Sequence, residues 1–458
     1  MSSRQASWRS RPKLVASELA EGAKDALSIE EEGRSGTHGR QDIICSQGSD
    51  ILEGWLDRVS GKDRPDGVSG SARGDPPEIP ERVRIVTETA QLALDTIFGK
   101  PTAGIPTFFL HFMEHAHLER LAGAQPGTYR QRPDEVYLAC QRAVEVCLLD
   151  QYIADNPLTM GDRGYEGRER GATTGAREIV LDGSPIDSPE AVVEHLERVE
   201  FPRLQAQLTV FDEEERVREI LAHESALQKR LGPTMLKSGY GLVSFPTLPY
   251  AAYGYAAYFS AYALYPEVME RHFALQADVA LCHNRAAAHA YREGSLPPLC
   301  RLDHDMADSR GTLVDVRSLD RLWFPHFSRC LEPLLHSNVH LIWHCDGNLM
   351  AMVPRLLEVG IVGFQGFQYE DGMDYPAICR MRTRSGEGLL IIGGVSVTRT
   401  LPFGTPAHVK AELAWLVEHG PPAGLVLGAS SSITPGVAWE NIETMVEGLR
   451  HYRRHGRG

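Results

Sequence analysis

Val339-His340-Leu341-Ile342-Trp343-His344-Cys345-Asp346-Gly347-Asn348 is an apolar run that breaks abruptly into polar, chemically useful side chains. Residues 339–343 are too few for a buried helix and suit a buried strand. Similar apolar runs lie at 239–244, 297–302, 361–366, 389–393 and 423–428. Helical patterns separate them, at 267–294, 318–336, 349–359, 406–419 and 437–452. Strand and helix alternating at this spacing predict βαβ units and a parallel sheet. Ile105–Leu110 adds a strand, and Ile179-Val180-Leu181 brings the total to eight. The natural closure is an α/β fold of the (β/α)8 TIM-barrel type, with its functional residues in the loops after the strands. A doubly wound sheet is the rival, but no Gly-rich phosphate loop follows a strand.

Towards the N-terminus, Glu81–Phe98 carries a helical apolar period and is stopped by Gly99-Lys100-Pro101. Helices are expected over Met113–Leu121 and residues 134–153. Residues 156–187 are Gly-rich, charged and irregular. Ser188-Pro189-Glu190 opens another helix, with the serine as cap and proline in the first turn. Residues 1–78 contain no Phe or Tyr and are rich in Ser, Gly, Arg and Glu. They bury too little apolar area to offset the entropy of ordering, so a disordered N-terminal extension is expected, with residues 79–458 forming the barrel.

Lys plus Arg number 47 and Asp plus Glu 61, a formal net charge of −14. This acidity argues against a nucleic-acid partner, which wants a basic face. The eight cysteines form no CxxC pair, so zinc-ribbon and thioredoxin-like readings fail. Their sparseness fits reduced thiols and a cytoplasmic protein. Met1–Lys13 is polar and basic, unlike a signal peptide. The most apolar stretch, Ala251–Tyr265, is shorter than the roughly 20 residues of a membrane helix, so no membrane partner is expected.

If the fold is a barrel, its chemistry sits at the strand ends. After Leu302 come Asp303-His304-Asp305, which could share a proton, clamp a cation or form a solvated loop. His344 and Asp346 offer a nitrogen and an oxygen to zinc or another divalent metal, or act as acid and base. A strand-capping histidine is the plainer reading. Cys345 should face the wall, because neighbours alternate along a strand. Residues 364–371 bring Gln365, Gln368 and Glu370. Ser430, Ser431 and Ser432 follow the last run and either hold an anion or form a polar turn. His111, Glu114 and His115 follow the first run, and share a face if helical. Tyr240, Tyr250, Tyr253, Tyr255 and Tyr258 are wall candidates.

The motifs together resemble the uroporphyrinogen decarboxylase superfamily. They run as Gly104-Ile105-Pro106 and Met113, Asp305-Met306-Ala307, His344-Cys345-Asp346-Gly347-Asn348, Gly360-Ile361-Val362-Gly363-Phe364-Gln365, Gly372-Met373-Asp374, Gly394-Val395, Gly404-Thr405-Pro406 with Val409, and Gly428 with Glu440-Asn441-Ile442. That superfamily holds the haem-pathway decarboxylase and zinc- and corrinoid-linked methyltransferases. The resemblance spans about Glu81–Gly456 and implies a TIM-type barrel. It implies metal ligation by His344 and Asp346, and catalytic roles for Asp305, Glu370 and His115. Substrate contacts are then implied for Met113, His111, Asn348, Gln365, Gln368 and Ser431.

Two departures bear on the activity. The decarboxylase carries an arginine-bearing stretch where this chain has Met113-Glu114-His115-Ala116-His117-Leu118, and a histidine where Ser431 stands. The methyltransferases ligate zinc through His-x-Cys and a later Cys, where this chain has His344-x-Asp346 and Ser431. The expected function is therefore metal-assisted transfer of a methyl or related group, on a small-molecule substrate and with a corrinoid protein as an implied partner. The alternatives are a cofactor-independent decarboxylase of a uroporphyrinogen-like polycarboxylate, or a non-catalytic ligand-binding barrel. Strand-end cations to grip carboxylates are few: Lys237, Arg301 and Arg399. A homodimer is left open.

Overall fold

The computed structural model describes residues 87–154 and 179–458. The expected N-terminal extension lies outside these residues, as does most of the irregular stretch 156–187.

The strands, in chain order, are β1 (Leu148–Leu149), β2 (Val180–Leu181), β3 (Ser184–Pro185), β4 (Leu236–Lys237), β5 (Gly239–Tyr240), β6 (Leu299–Asp303), β7 (Ala307–Asp308), β8 (Gly311–Thr312), β9 (His340–His344), β10 (Gly363–Gln365), β11 (Leu390–Val395) and β12 (Leu425–Ala429). Six form one sheet in the order β12-β11-β10-β9-β6-β5, and every pair in it is parallel. The helices between these strands carry the crossovers that parallel pairing requires. They include Pro266–Glu293, Phe324–His336, Val353–Glu358, Tyr375–Arg380 and Pro406–His419, and Trp439–His455 follows the last strand.

Pairing continues beyond the six strands in short pieces. Only Ser238 separates β4 from β5, and β4 pairs parallel with β1. Phe108 bridges to Leu148, and Thr107 to Leu427 of β12, both in parallel sense. The first apolar run thus lies between the last strand and β1.

Two expectations are corrected here. Residues 134–153 are not one helix: Pro133–Val144 is helical, Glu145 takes a left-handed φ of 65°, and β1 follows. Apolar Val146-Cys147-Leu148-Leu149 continues the helical pattern by eye, and only the turn at Glu145 separates them. Ile179-Val180-Leu181 is not a strand of the main sheet. β2 pairs antiparallel with β3 around Asp182 and Gly183, both at positive φ, the backbone of a tight hairpin. Val180 is exposed there, whereas a parallel strand is covered on both faces.

Register lays out the site. Asp303 of β6 pairs with His344 of β9, and His344 with Gln365 of β10. Side chains in register share a face, so these three stand side by side at the C-terminal ends of their strands. Arg301, two residues before Asp303, shares that face and pairs with Tyr240 of β5. The intervening residues Leu302, Trp343 and Phe364 are buried on the opposite face, where Trp343 packs against Trp323 and Phe327. Among the described residues no helix is long and apolar enough to cross a membrane, and the seven cysteines described are all free thiols.

Candidate metal centre

The site begins with a buried arginine. Arg301 donates from Nε to Asp150 Oδ2 and from Nη1 to Asp303 Oδ2, the latter at 2.9 Å. Nη1 also reaches Gln365 Oε1 at 3.3 Å, and the guanidinium lies over the Tyr240 ring, 4.6 Å from its centroid. Burial alone would disfavour its charge, but Asp150 and Asp303 outweigh that and push its pKa up. Tyr240 donates a second bond to Asp303 Oδ2, at 3.1 Å. One oxygen of Asp303 therefore has two donors. The other, Oδ1, lies 3.9 Å from His344 Nε2.

His344 ends β9 and is only 3% exposed. Its Nδ1 lies 3.2 Å from the Gln365 carbonyl oxygen. A carbonyl only accepts, so that nitrogen carries the proton and Nε2 faces Asp303 and Asp346, whose Oδ1 is 4.0 Å away. Burial pushes the His344 pKa down, but Asp303 and Asp346 more than reverse this, and the net shift is upward. The Asp346 amide donates to Asp305 Oδ1 at 2.9 Å, which draws Asp305 into the group. Burial first, then the Asp346 carboxylate, push the Asp305 pKa up to about 7. One ligand atom from each of Asp305, His344 and Asp346 lies within 4.8 Å of the others. An imidazole oriented by a carbonyl and facing converging carboxylates can hold a divalent metal. Without a cation, the same carboxylates raise the proton affinity of Asp305 and His344.

The loops around the group fix it in place. Gln368 Oε1 accepts from the Gly347 amide at 2.6 Å. Asn348 Oδ1 accepts from the Met350 amide at 3.1 Å. Gly366 takes φ +74°, and a Cβ there would fall 2.7 Å from His344 Nδ1 and 3.1 Å from the Ser430 carbonyl oxygen. Gly366→Ala is therefore expected to displace the imidazole. It should cost about 1–2 kcal/mol through the left-handed backbone alone and weaken metal binding at least tenfold. Equilibrium dialysis beside a denaturant melt measures both, and unchanged metal affinity would refute the packing argument.

The other sequence candidates are placed less centrally. His304 turns away: its Nε2 accepts from the Leu248 amide at 3.0 Å, and burial pushes its pKa down to about 4. His115 opens the helix His115–Ala122 and packs against the Tyr129 ring. His111 Nδ1 meets Ser432 Oγ at 2.7 Å. Met113 is buried, its amide bonded to the Ile433 carbonyl, and Ser431 is half-buried between two serines. Gln365 Nε2 reaches the Ser430 carbonyl at 3.4 Å. Cys345 is buried, hydrogen-bonded from Sγ to the Asp346 carbonyl, and burial holds it firmly as a thiol. Lys237 is buried against Glu224 at 2.9 Å, while Arg399 is exposed.

Glu370 belongs to a neighbouring acidic pair. Its Oε1 accepts from the hydroxyls of Ser396 and Thr398, while the Ser396 amide donates to Glu412 Oε1 at 2.7 Å. Burial pushes the Glu412 carboxyl up to about 8. The unfolded chain releases that proton near the ordinary glutamate value and the folded chain near 8, so stability falls as pH rises between them. Glu412→Gln should flatten this slope by a few kcal/mol. Its Tm relative to wild type should rise from pH 5 to pH 8.5, and parallel curves would contradict the assignment.

Asp150 was not a candidate from sequence, although it anchors Arg301. Its signal was Leu148-Leu149-Asp150, two apolar residues and an acid at a strand end, concealed by reading 134–153 as continuous helix.

Residues 304–452 match the family model described as uroporphyrinogen decarboxylase (URO-D). That segment contains Asp305, His344 and Asp346 and ends within the last helix. No curated protein matches the chain. Among solved structures it is similar to a methyltransferase from Methanosarcina mazei, at 16% identity and a TM-score of 0.49, over 80% of this chain and 98% of that one.

Proposed function

We propose that this chain, whose residues 304–452 match the uroporphyrinogen decarboxylase family model, belongs to that superfamily and is a small-molecule enzyme of metal-assisted methyl, or related group, transfer. The observation that carries this is the convergence of Asp305, His344 and Asp346 within 4.8 Å. Their one nitrogen and carboxylate oxygens suit zinc or another divalent ion. A bound ion would supply Lewis acidity to an acceptor or donor group.

The chain's own residues do the rest. The Gln365 carbonyl keeps His344 in one tautomer, and Gln368 and Asn348 hold the 346–350 turn. Glu370 is the carboxylate we assign to take the acceptor's proton, since its Oε2 is buried without a hydrogen-bond donor among the described residues. His115, His111, Met113 and Ser431 are proposed to border the substrate from the first and last strand ends. A methylated corrinoid, carried by a partner protein, is the proposed donor. Residues 79–458 are proposed as one eight-stranded barrel, supported by the bridges through Thr107 and Phe108.

The decarboxylase alternative is weaker on charge. A polycarboxylate needs several free cations, and Arg301 and Lys237 are each tied up by buried carboxylates, which leaves the exposed Arg399 of the three strand-end cations. The test supplies metal-loaded protein with methylcobalamin and a panel of acceptors, followed by the corrinoid spectrum. Demethylation that requires both metal and acceptor is expected. Inactivity in that assay together with decarboxylation of a porphyrinogen would overturn the reading.

A further inference from the structure

We propose that Asp303 is a fourth donor to the ion, so that the site is built from one imidazole and three carboxylates and contains no sulfur. The inference rests on the metal reading above and goes beyond it in assigning Asp303 and the kind of ion held.

The argument is one of orientation. Asp303 Oδ2 accepts from both Arg301 and Tyr240, at 2.9 and 3.1 Å. Oδ1 is buried and has no hydrogen-bond donor among the described residues, and the side chain as a whole is 11% exposed. A buried carboxylate oxygen without a donor is costly to keep. Here it points at His344 Nε2 from 3.9 Å, much as Asp346 Oδ1 does from 4.0 Å. Both separations are too long for hydrogen bonds, and suit atoms that share an ion. Asp150, behind Arg301, completes a chain in which an acid fixes the guanidinium and the guanidinium fixes the ligand. Partners of this kind orient the ligands of metal sites.

Charge points the same way. Asp150 and Asp303 flank the Arg301 guanidinium while Asp305 and Asp346 gather at His344, and a divalent cation offsets this concentration of carboxylates. Sulfur is excluded by geometry: Cys345 Sγ bonds to the Asp346 carbonyl at 3.0 Å and receives the Met306 amide at 3.2 Å. Oxygen-rich ligation favours harder ions than a thiolate site does, so Mn2+ and Co2+ should bind as well as Zn2+.

The full chain, stripped of metal, is titrated with Co2+ and Mn2+. Wild type should bind one Co2+ without a sulfur-to-cobalt charge-transfer band. Asp303→Asn should weaken Co2+ binding at least tenfold in the folded protein, while Cys345→Ser binds as wild type. Asp303→Glu keeps the charge opposite Arg301 and should lose affinity likewise, which covers an Asn variant that fails to fold. Wild-type affinity in both Asp303 variants, with binding lost in His344→Ala, would overturn this proposal and leave the metal reading standing. A charge-transfer band that disappears in Cys345→Ser would also overturn it. No binding by wild type would overturn the metal reading itself.

Discussion

His344→Ala is expected to lose divalent-metal affinity by at least about a hundredfold, since removing even a supporting residue costs 10–100-fold. The proposed methyl transfer should disappear with it. The imidazole is the sole nitrogen among the atoms that converge here, and its Nδ1 is already committed to the Gln365 carbonyl. Alanine leaves Asp305 and Asp346 close together without the nitrogen that would share their ion. Carboxylates crowded in this way take up protons instead. Stability should change less than metal affinity, because the strand is held by Trp343 on its opposite face. Isothermal titration with Zn2+ and Co2+ reads the affinity, and circular dichroism checks the fold. Retention of wild-type affinity would remove His344 from the site.

Arg301→Ala is expected to have the largest effect on folding. It leaves Asp150 and Asp303 buried without their shared cation. Breaking such a pair from one side costs about 3–5 kcal/mol, because the remaining charges cannot return to water. Asp303 also loses the donor that directs its free oxygen, so metal affinity falls in the fraction that folds. Urea unfolding should show the loss as a lower midpoint with an unchanged slope. A change under about 1 kcal/mol, the range of exposed ion pairs, would mean that water reaches the arginine.

Much of the fold was legible because buried parallel strands leave short apolar runs between helical periods. The runs at 297–302, 339–343, 361–366, 389–393 and 423–428 correspond to β6, β9, β10, β11 and β12. The two-residue β1 was not legible, since so short a strand has no period of its own. The Ile179–Leu181 reading failed for a related reason: three apolar residues look alike in a hairpin and in a buried sheet, and Asp182-Gly183 was the distinguishing signal.

Of the site, His344 and Asp346 stood out because they end a strand two residues apart. Asp305 was visible as an acid, but which of several acids would join them was not. The choice depends on the hydrogen bond from the Asp346 amide to Asp305, which no spacing encodes. Asp303 looked like one more loop carboxylate, and only register places it beside His344. Arg301 read as a cation for substrate. Its engagement by Asp150, 151 residues earlier in the chain, reverses that reading.

The most direct test of the account is metal content by inductively coupled plasma mass spectrometry. The full chain is dialysed to equilibrium with Zn2+, Co2+ or Mn2+, alongside a variant carrying Asp305→Asn, His344→Ala and Asp346→Asn. The account predicts one ion per wild-type chain and none above background in the variant. No stoichiometric ion in wild type, or equal content in both proteins, would contradict it.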